Sequence, residues 1–286
     1  MTFLYDKITY LFDPLQHFWE HEKLHKKVAL VLVLFFLCSL VSIELNRQGL
    51  LSSSLAPLVP RNHFFAVQAC FTVVLVLEVI SLIFIIPCSF SRSVGKQFEI
   101  LALILIRNAF KELSGFAEPI RFIGNEEAVL SILSNGFGAL VIFVLLGVYY
   151  AIQKSSEEKM LPFDIYSFIA AKKGIALILL VIFTYLGIVS LLTPNTPHST
   201  SDFLHSFYTI LILTDILLVL LAQCYQPSFY AIFRNSGFAL STLIIRIALA
   251  APAYYNVLLG VLAVLFAILL TLVSTYFFQK KGNTNV

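Results

Sequence analysis

The sequence predicts an all-α, polytopic membrane bundle of about eight transmembrane helices, built as two parallel four-helix repeats that each begin with an amphipathic interfacial segment. Three observations lead there. The 286-residue chain is 59% hydrophobic and only 12% charged, whereas a soluble domain carries about 25% charged residues. Apolar runs of roughly 17 to 25 residues recur along its length, each long enough to cross ~30 Å of hydrocarbon at ~1.5 Å per residue. The few polar residues inside those runs also recur in one order.

Residues 1–27 come first. Leu4, Ile8, Leu11, Leu15 and Phe18 recur at helical spacing between Asp, Lys, His and Glu residues, the pattern of an amphipathic helix lying in the membrane interface with Trp19 near the headgroups. Asp13-Pro14 reads as its start, because Asp caps free N–H groups and Pro suits the first turn. His17, His21 and His25 fall four apart on one face, but Glu and Lys lie between them. A solvated polar face explains the three, and no metal site is expected.

Eight spans follow, over residues 28–45, 64–88, 97–113, 130–152, 174–192, 203–225, 235–251 and 254–278. Pro57, Pro60, Pro119, Pro194, Pro197 and Pro252 punctuate the connections, and Pro87 and Pro227 stand where the second and sixth spans end. The first span follows a long mixed-charge segment with no small-residue cleavage pattern, so it reads as a membrane helix rather than a signal peptide. The outer loop from Lys111 to Val129 carries several charges and reads as a short surface helix. Cys38, Cys70, Cys88 and Cys224 form no CxxC pair and lie in or beside apolar runs, as packing residues do.

Internal repetition divides the chain at residues 1–153 and 154–286. LHKKVALVLVLFFLCSL in the first span matches AAKKGIALILLVIFTYL in the fifth, and YYAIQK resembles YFFQKK at the far ends. Phe12-Asp13 and Phe163-Asp164 each open an amphipathic stretch ending in Lys-Lys. Thr72 precedes Glu78 by six residues, as Thr209 precedes Asp215. Ser89-Phe90 and Ser228-Phe229 stand at equal distances before Arg107 and Arg246. Four spans per unit bring both units in from the same side, so a pseudo-two-fold axis along the membrane normal relates them.

Orientation follows from the basic residues outside the spans. The side holding both termini carries thirteen: Lys7, Lys23, Lys26, Lys27, Arg92, Lys96, Lys154, Lys159, Lys172, Lys173, Arg234, Lys280 and Lys281. The other side carries Arg47, Arg61, Lys111 and Arg121. The termini are therefore expected in the cytoplasm, with the chain in the plasma (inner) membrane.

The mid-span charges are the expected site. With a polar turn at Cys88–Lys96, Glu78 and Arg107 each lie about ten residues, or ~15 Å, from the inner edge. Asp215 and Arg246 sit similarly, so Glu78–Arg107 and Asp215–Arg246 pairs are expected. Each charge costs roughly 2.5–3.5 kcal/mol at a helix centre, and such groups mark ion or substrate pathways unless they only fix helix register. Thr72 and Thr209 lie two turns further out, facing the same crevice or bonding to their own helices. The sequence holds no HExxH, GxSxG or phosphate-binding glycine loop and no His pair for a haem, so no enzyme activity and no cofactor are expected. The net charge of +3 is too small and too scattered for nucleic acid. The reading is movement of a small ion or solute through a polar midplane, with the lipid bilayer as solvent and a homo-oligomer or partner subunit admitted. Its rival is a non-catalytic scaffold or assembly subunit whose charge pairs are structural.

Overall fold

A computed structural model describes residues 2–50, 59–113, 115–116, 122–153, 162–192 and 199–282. Among these there are nine helices and no strand. They are α1 (Thr2–Glu20), α2 (Glu22–Arg47), α3 (Phe64–Ile85), α4 (Phe90–Leu113), α5 (Glu126–Ile152), α6 (Pro162–Leu192), α7 (Ser199–Tyr225), α8 (Phe229–Ala250) and α9 (Tyr255–Gly282). Six are long and apolar enough to cross a membrane: α2, α3, α5, α6 within Ile165–Val189, α8, and α9 within Tyr255–Tyr276. The apolar part of α7 is shorter, Thr209–Tyr225. α4 is long enough but carries Arg92, Lys96, Glu99, Arg107, Lys111 and Glu112.

That charged helix is the centre of the bundle. α4 packs against α3, α5, α8 and α9, and α8 packs in turn on α7 and α9. One apolar cluster joins α1, α3, α6 and α7 through Phe12, Leu82, Phe84, Leu179 and Leu218. A second joins α4, α5, α8 and α9 through Phe98, Leu101, Ile142, Phe238 and Ala263. Lipid is as apolar as leucine, so close packing rather than water exclusion holds such helices together, and small residues permit it. At Gly138 of α5 a Cβ atom would collide with Val257 of α9. α2 is the outlier: only Ile43 and Asn46 are buried among its residues, and its long apolar face is left to lipid.

Several expectations change. α1 runs straight through Pro14 instead of starting there. Asp13 pairs with Lys173 of α6 at 2.6 Å, so its carboxylate serves a tertiary contact and not a cap. Phe12, 1% exposed, drives that docking, while Leu11 and Phe18 remain exposed. Trp19 donates to Ser81 Oγ at 2.9 Å and stacks on Phe84, which places its ring against α3 rather than out among headgroups. The amphipathic stretch before the fifth span is no separate element, because α6 is one continuous 31-residue helix. The outer loop's core, residues 117–121, lies outside the described residues. Residues 122–125 are non-helical, and α5 begins at Glu126.

The largest correction concerns the turn between α3 and α4. The run Cys88–Lys96 is polar and reads as a loop, yet helix begins at Phe90. Ser89 Oγ accepts from Arg92 N at 3.3 Å, and Ser228 Oγ accepts from Ala231 N at 3.3 Å at the start of α8. The repeated Ser-Phe pairs are thus N-caps, each satisfying one of the free N–H groups of a helix start.

Candidate functional site

Moving the start of α4 back to Phe90 moves Arg107 further from the α3–α4 turn. It lies eighteen residues beyond its cap, about 27 Å along the axis, close to the full depth of a bilayer core. Glu78 lies seven residues before the end of α3 and Lys96 six after the start of α4, each about 10 Å from the turn between them. Depth therefore matches Glu78 with Lys96, and that is the ion pair it makes, at 2.6 Å. The expected Glu78–Arg107 partnership gives way to this one. Lys96 also binds Glu99 at 2.9 Å, and Glu99 accepts from Tyr150 of α5 at 2.7 Å. A row of charge and hydrogen bonds thus fastens α3 to α4 and α4 to α5.

Nearby, Tyr149 donates to the carbonyl of Ser91 at 2.8 Å, and Gln153 donates to the Ser91 hydroxyl at 2.6 Å. This group closes the same end of the bundle. Thr72 gives its hydroxyl proton to Gln68 O on its own helix at 2.9 Å, the local bond common for threonine in helices. Thr209 is exposed on α7. Neither threonine joins the acids.

Asp215 of α7 lies within electrostatic reach of Arg246 of α8 and shares the wall of one cavity with Gln97 and Thr242. Arg246, 6% exposed, donates from Nη2 to Gln97 Oε1 at 2.9 Å. Gln97 belongs to α4, in the other half of the chain, and is 2% exposed. Its carbonyl thus meets the guanidinium, and its side chain shares a cavity wall with the carboxylate. Asp215 Oδ2 is buried and accepts no hydrogen bond.

A small cavity reaches this group. Ile86, Cys88, Ser93, Gln97, Lys172, Asp215 and Thr242 are among the residues lining it. Its volume for the centre of a water molecule is about 10 Å³, roughly what one water needs. Lys172 of α6 forms part of the wall and is 4% exposed. Its ammonium donates to Cys88 O at 2.8 Å and lies over the Phe168 ring, 4.4 Å from the centroid. The carbonyls at the end of α3 carry the negative pole of that helix, so a cation is well placed there.

Gln97 and Lys172 are the site residues that sequence reading passes over. Neither is a mid-span charge. Gln97 is neutral and reads as the first residue of its span, and Lys172 counts only toward the basic side. Among the described residues no group of three or more His, Cys, Asp or Glu is arranged to hold a metal. His21 is engaged as the N-cap of α2, with Nδ1 accepting from Lys23 N at 3.2 Å.

Six long apolar helices, four of them (α3, α5, α8 and α9) packed on the charged α4, make this a multi-pass helical membrane protein. Comparison with family models, curated proteins and solved structures finds no match to this chain.

Proposed function

We propose that this chain is an eight-span carrier, without enzymatic activity, that moves a small ion or solute by way of the Asp215–Gln97–Arg246 group. The single observation behind this reading is a buried arginine held by an amide from the other half, beside an acid whose carboxylate opens on a water-sized cavity. Ionisable groups inside a membrane are costly, so their retention at such a junction favours a pathway. Spans α4 and α7, which the charge on one and the shorter apolar stretch of the other leave outside the six, complete the eight.

The packing supports two repeats of residues 1–153 and 154–286. α3 and α5 flank α4 as α7 and α9 flank α8, while α4 meets α8 and α5 meets α9. Elements related by a two-fold along the membrane normal meet in this way, the arrangement of parallel-repeat transporters. Both termini then lie in the cytoplasm, on the basic side of a plasma (inner) membrane.

The two halves have separate tasks in this reading. Glu78, held by Lys96, belongs to the frame; Asp215 belongs to the pathway. The test replaces both members of the second pair, Asp215→Leu with Arg246→Leu. Buried ion pairs are often no more stabilising than well-packed apolar groups, so the variant is expected to remain monodisperse in detergent and to lose its cellular activity or liposome flux. Full activity in a well-folded double variant would mean the pair only sets helix register.

A further inference from the structure

We infer that the species exchanged at Asp215 is the proton, reaching it through water in the cavity beneath the α3–α4 turn. The inference rests on the transport reading above and names its substrate class.

Size removes organic solutes first. A cavity of about 10 Å³ for water centres admits about one water molecule, and a metabolite does not fit.

Charge and donor count remove metal cations next. A hard cation needs several oxygen ligands. Here the Gln97 carbonyl is occupied by Arg246, and Thr242, which turns its hydroxyl proton to Ala239 O at 2.8 Å, offers one lone-pair oxygen. The carboxylate would be the only anionic ligand. The charged group beside Asp215 is Arg246 from α8, with neutral Gln97 from α4 close by; Lys172 from α6 and the Cys88 thiol at the turn line the same cavity. A guanidinium beside the carboxylate and an ammonium in the cavity wall both oppose a further cation.

An inorganic anion fares no better. It would have to share a one-water volume with a carboxylate oxygen, while the Lys172 ammonium is engaged by Cys88 O and, at 3.5 Å, by Pro87 O. What fits is a species that needs only one oxygen with an open lone pair and a water to bring it. Asp215 Oδ2 is such an oxygen.

The step balances simply. A hydronium in the cavity gives one proton to Asp215 Oδ2, forming the O–H bond of a neutral carboxylic acid and leaving water. Arg246 then loses its counter-charge but keeps its bond to Gln97, so the attraction between α7 and α8 changes while the tie to α4 persists. That is a differential effect on two arrangements of the bundle, which a coupled conformational change requires.

The experiment uses the purified full chain in liposomes loaded with pyranine, with a valinomycin-set potassium potential driving flux. Parallel vesicles carry sodium and chloride indicators. Internal pH should change with wild type and at least tenfold more slowly with Asp215→Asn, with neither sodium nor chloride moving. Sodium or chloride flux that depends on Asp215, without proton flux, would overturn the proton assignment and leave transport standing. A panel silent for every species would overturn the transport reading itself. A second measurement guards against a variant that fails to fold. Infrared spectra of wild type with ¹³C-labelled aspartate should show a protonated-carboxyl band that grows as pH falls and is missing in a monodisperse Asp215→Asn sample. A band indifferent to pH would refute the assignment.

Discussion

Replacing Gln97 by leucine removes the side chain that bridges the two halves of the chain while keeping nearly the same volume. Gln97 is 2% exposed and accepts from Arg246 at 2.9 Å, so leucine leaves the guanidinium without that acceptor. A hydrogen bond to a charged group contributes about 1.5–3 kcal/mol in soluble proteins. Inside membranes the measured average is only about 0.6 kcal/mol with a ceiling near 1.7, because a helix unfolded in lipid also finds partners. The Arg246 bond is charge-assisted, so it belongs near that ceiling. Gln97→Leu should therefore cost about 1.7 kcal/mol, close to a sixteenfold change in the unfolding equilibrium at 1.4 kcal/mol per decade.

Reversible unfolding in mixed micelles of sodium dodecyl sulfate and a mild detergent would measure it. Two controls sharpen the reading. Gln97→Glu gives Arg246 a carboxylate but sets it against Asp215, and should destabilise unless Asp215→Asn is added. A double-mutant cycle of Gln97→Leu with Arg246→Met should show a coupling of about 1–2 kcal/mol, as residues in one hydrogen-bonded network do. Gln97→Leu within about 0.3 kcal/mol of wild type, below what distant sites scatter by, would refute the bridge.

Two further predictions follow. Lys96→Met leaves Glu78 and Glu99 without their shared cation and should cost about 1–3 kcal/mol, between the values for exposed and fully buried pairs; adding Glu78→Gln should recover part of it, and thermal stability in detergent equal to wild type for Lys96→Met alone would contradict the role given to this cluster. For orientation, in a background without the native cysteines, Ser199→Cys should be labelled on intact cells by an impermeant thiol reagent and Lys281→Cys protected. The reverse pattern would invert the proposed topology.

Much of the helical order is legible because apolar runs between prolines leave few alternatives, and the Ser-Phe repeat pointed to equivalent places in the two halves. What it marked was not legible. Ser89 to Lys96 holds two serines beyond its first residue, an arginine, a glycine and a lysine, a composition that reads as loop. Here a helix enters the bilayer with a polar first turn and buries Val94 and Gly95 against its neighbours. Starting the helix seven residues late shifted the inferred depth of Arg107 and produced the wrong partner for Glu78. Pro14 misled for a related reason. Its missing N–H costs a helix one bond, but Phe12 and Asp13 before it, anchored on α3 and α6, and Trp19 after it, bonded to Ser81 of α3, hold the chain helical on both sides. Tertiary contact outweighed a local rule.

The divergence of the two acids comes down to one position. Counting seven residues from each serine cap gives Lys96 in the first half and Asn235 in the second. Lysine brings a charge on a long stem, so Glu78 is neutralised within its own hairpin and α3 and α4 are held at fixed register. Asparagine brings no charge, and Asn235 is itself buried at 3% exposure. Asp215 must therefore look elsewhere, to Arg246 on the next helix and to Gln97 across the repeat boundary. A carrier of two repeats works by moving one bundle against another around a site between them. A site inside one hairpin cannot sense that motion, because both of its partners travel together. A site whose members come from α7, α8 and α4 can, since any shift of one half against the other stretches the bond between Arg246 and Gln97. In the proposed carrier, asparagine rather than lysine at position 235 leaves Asp215 to a group that reports on the junction.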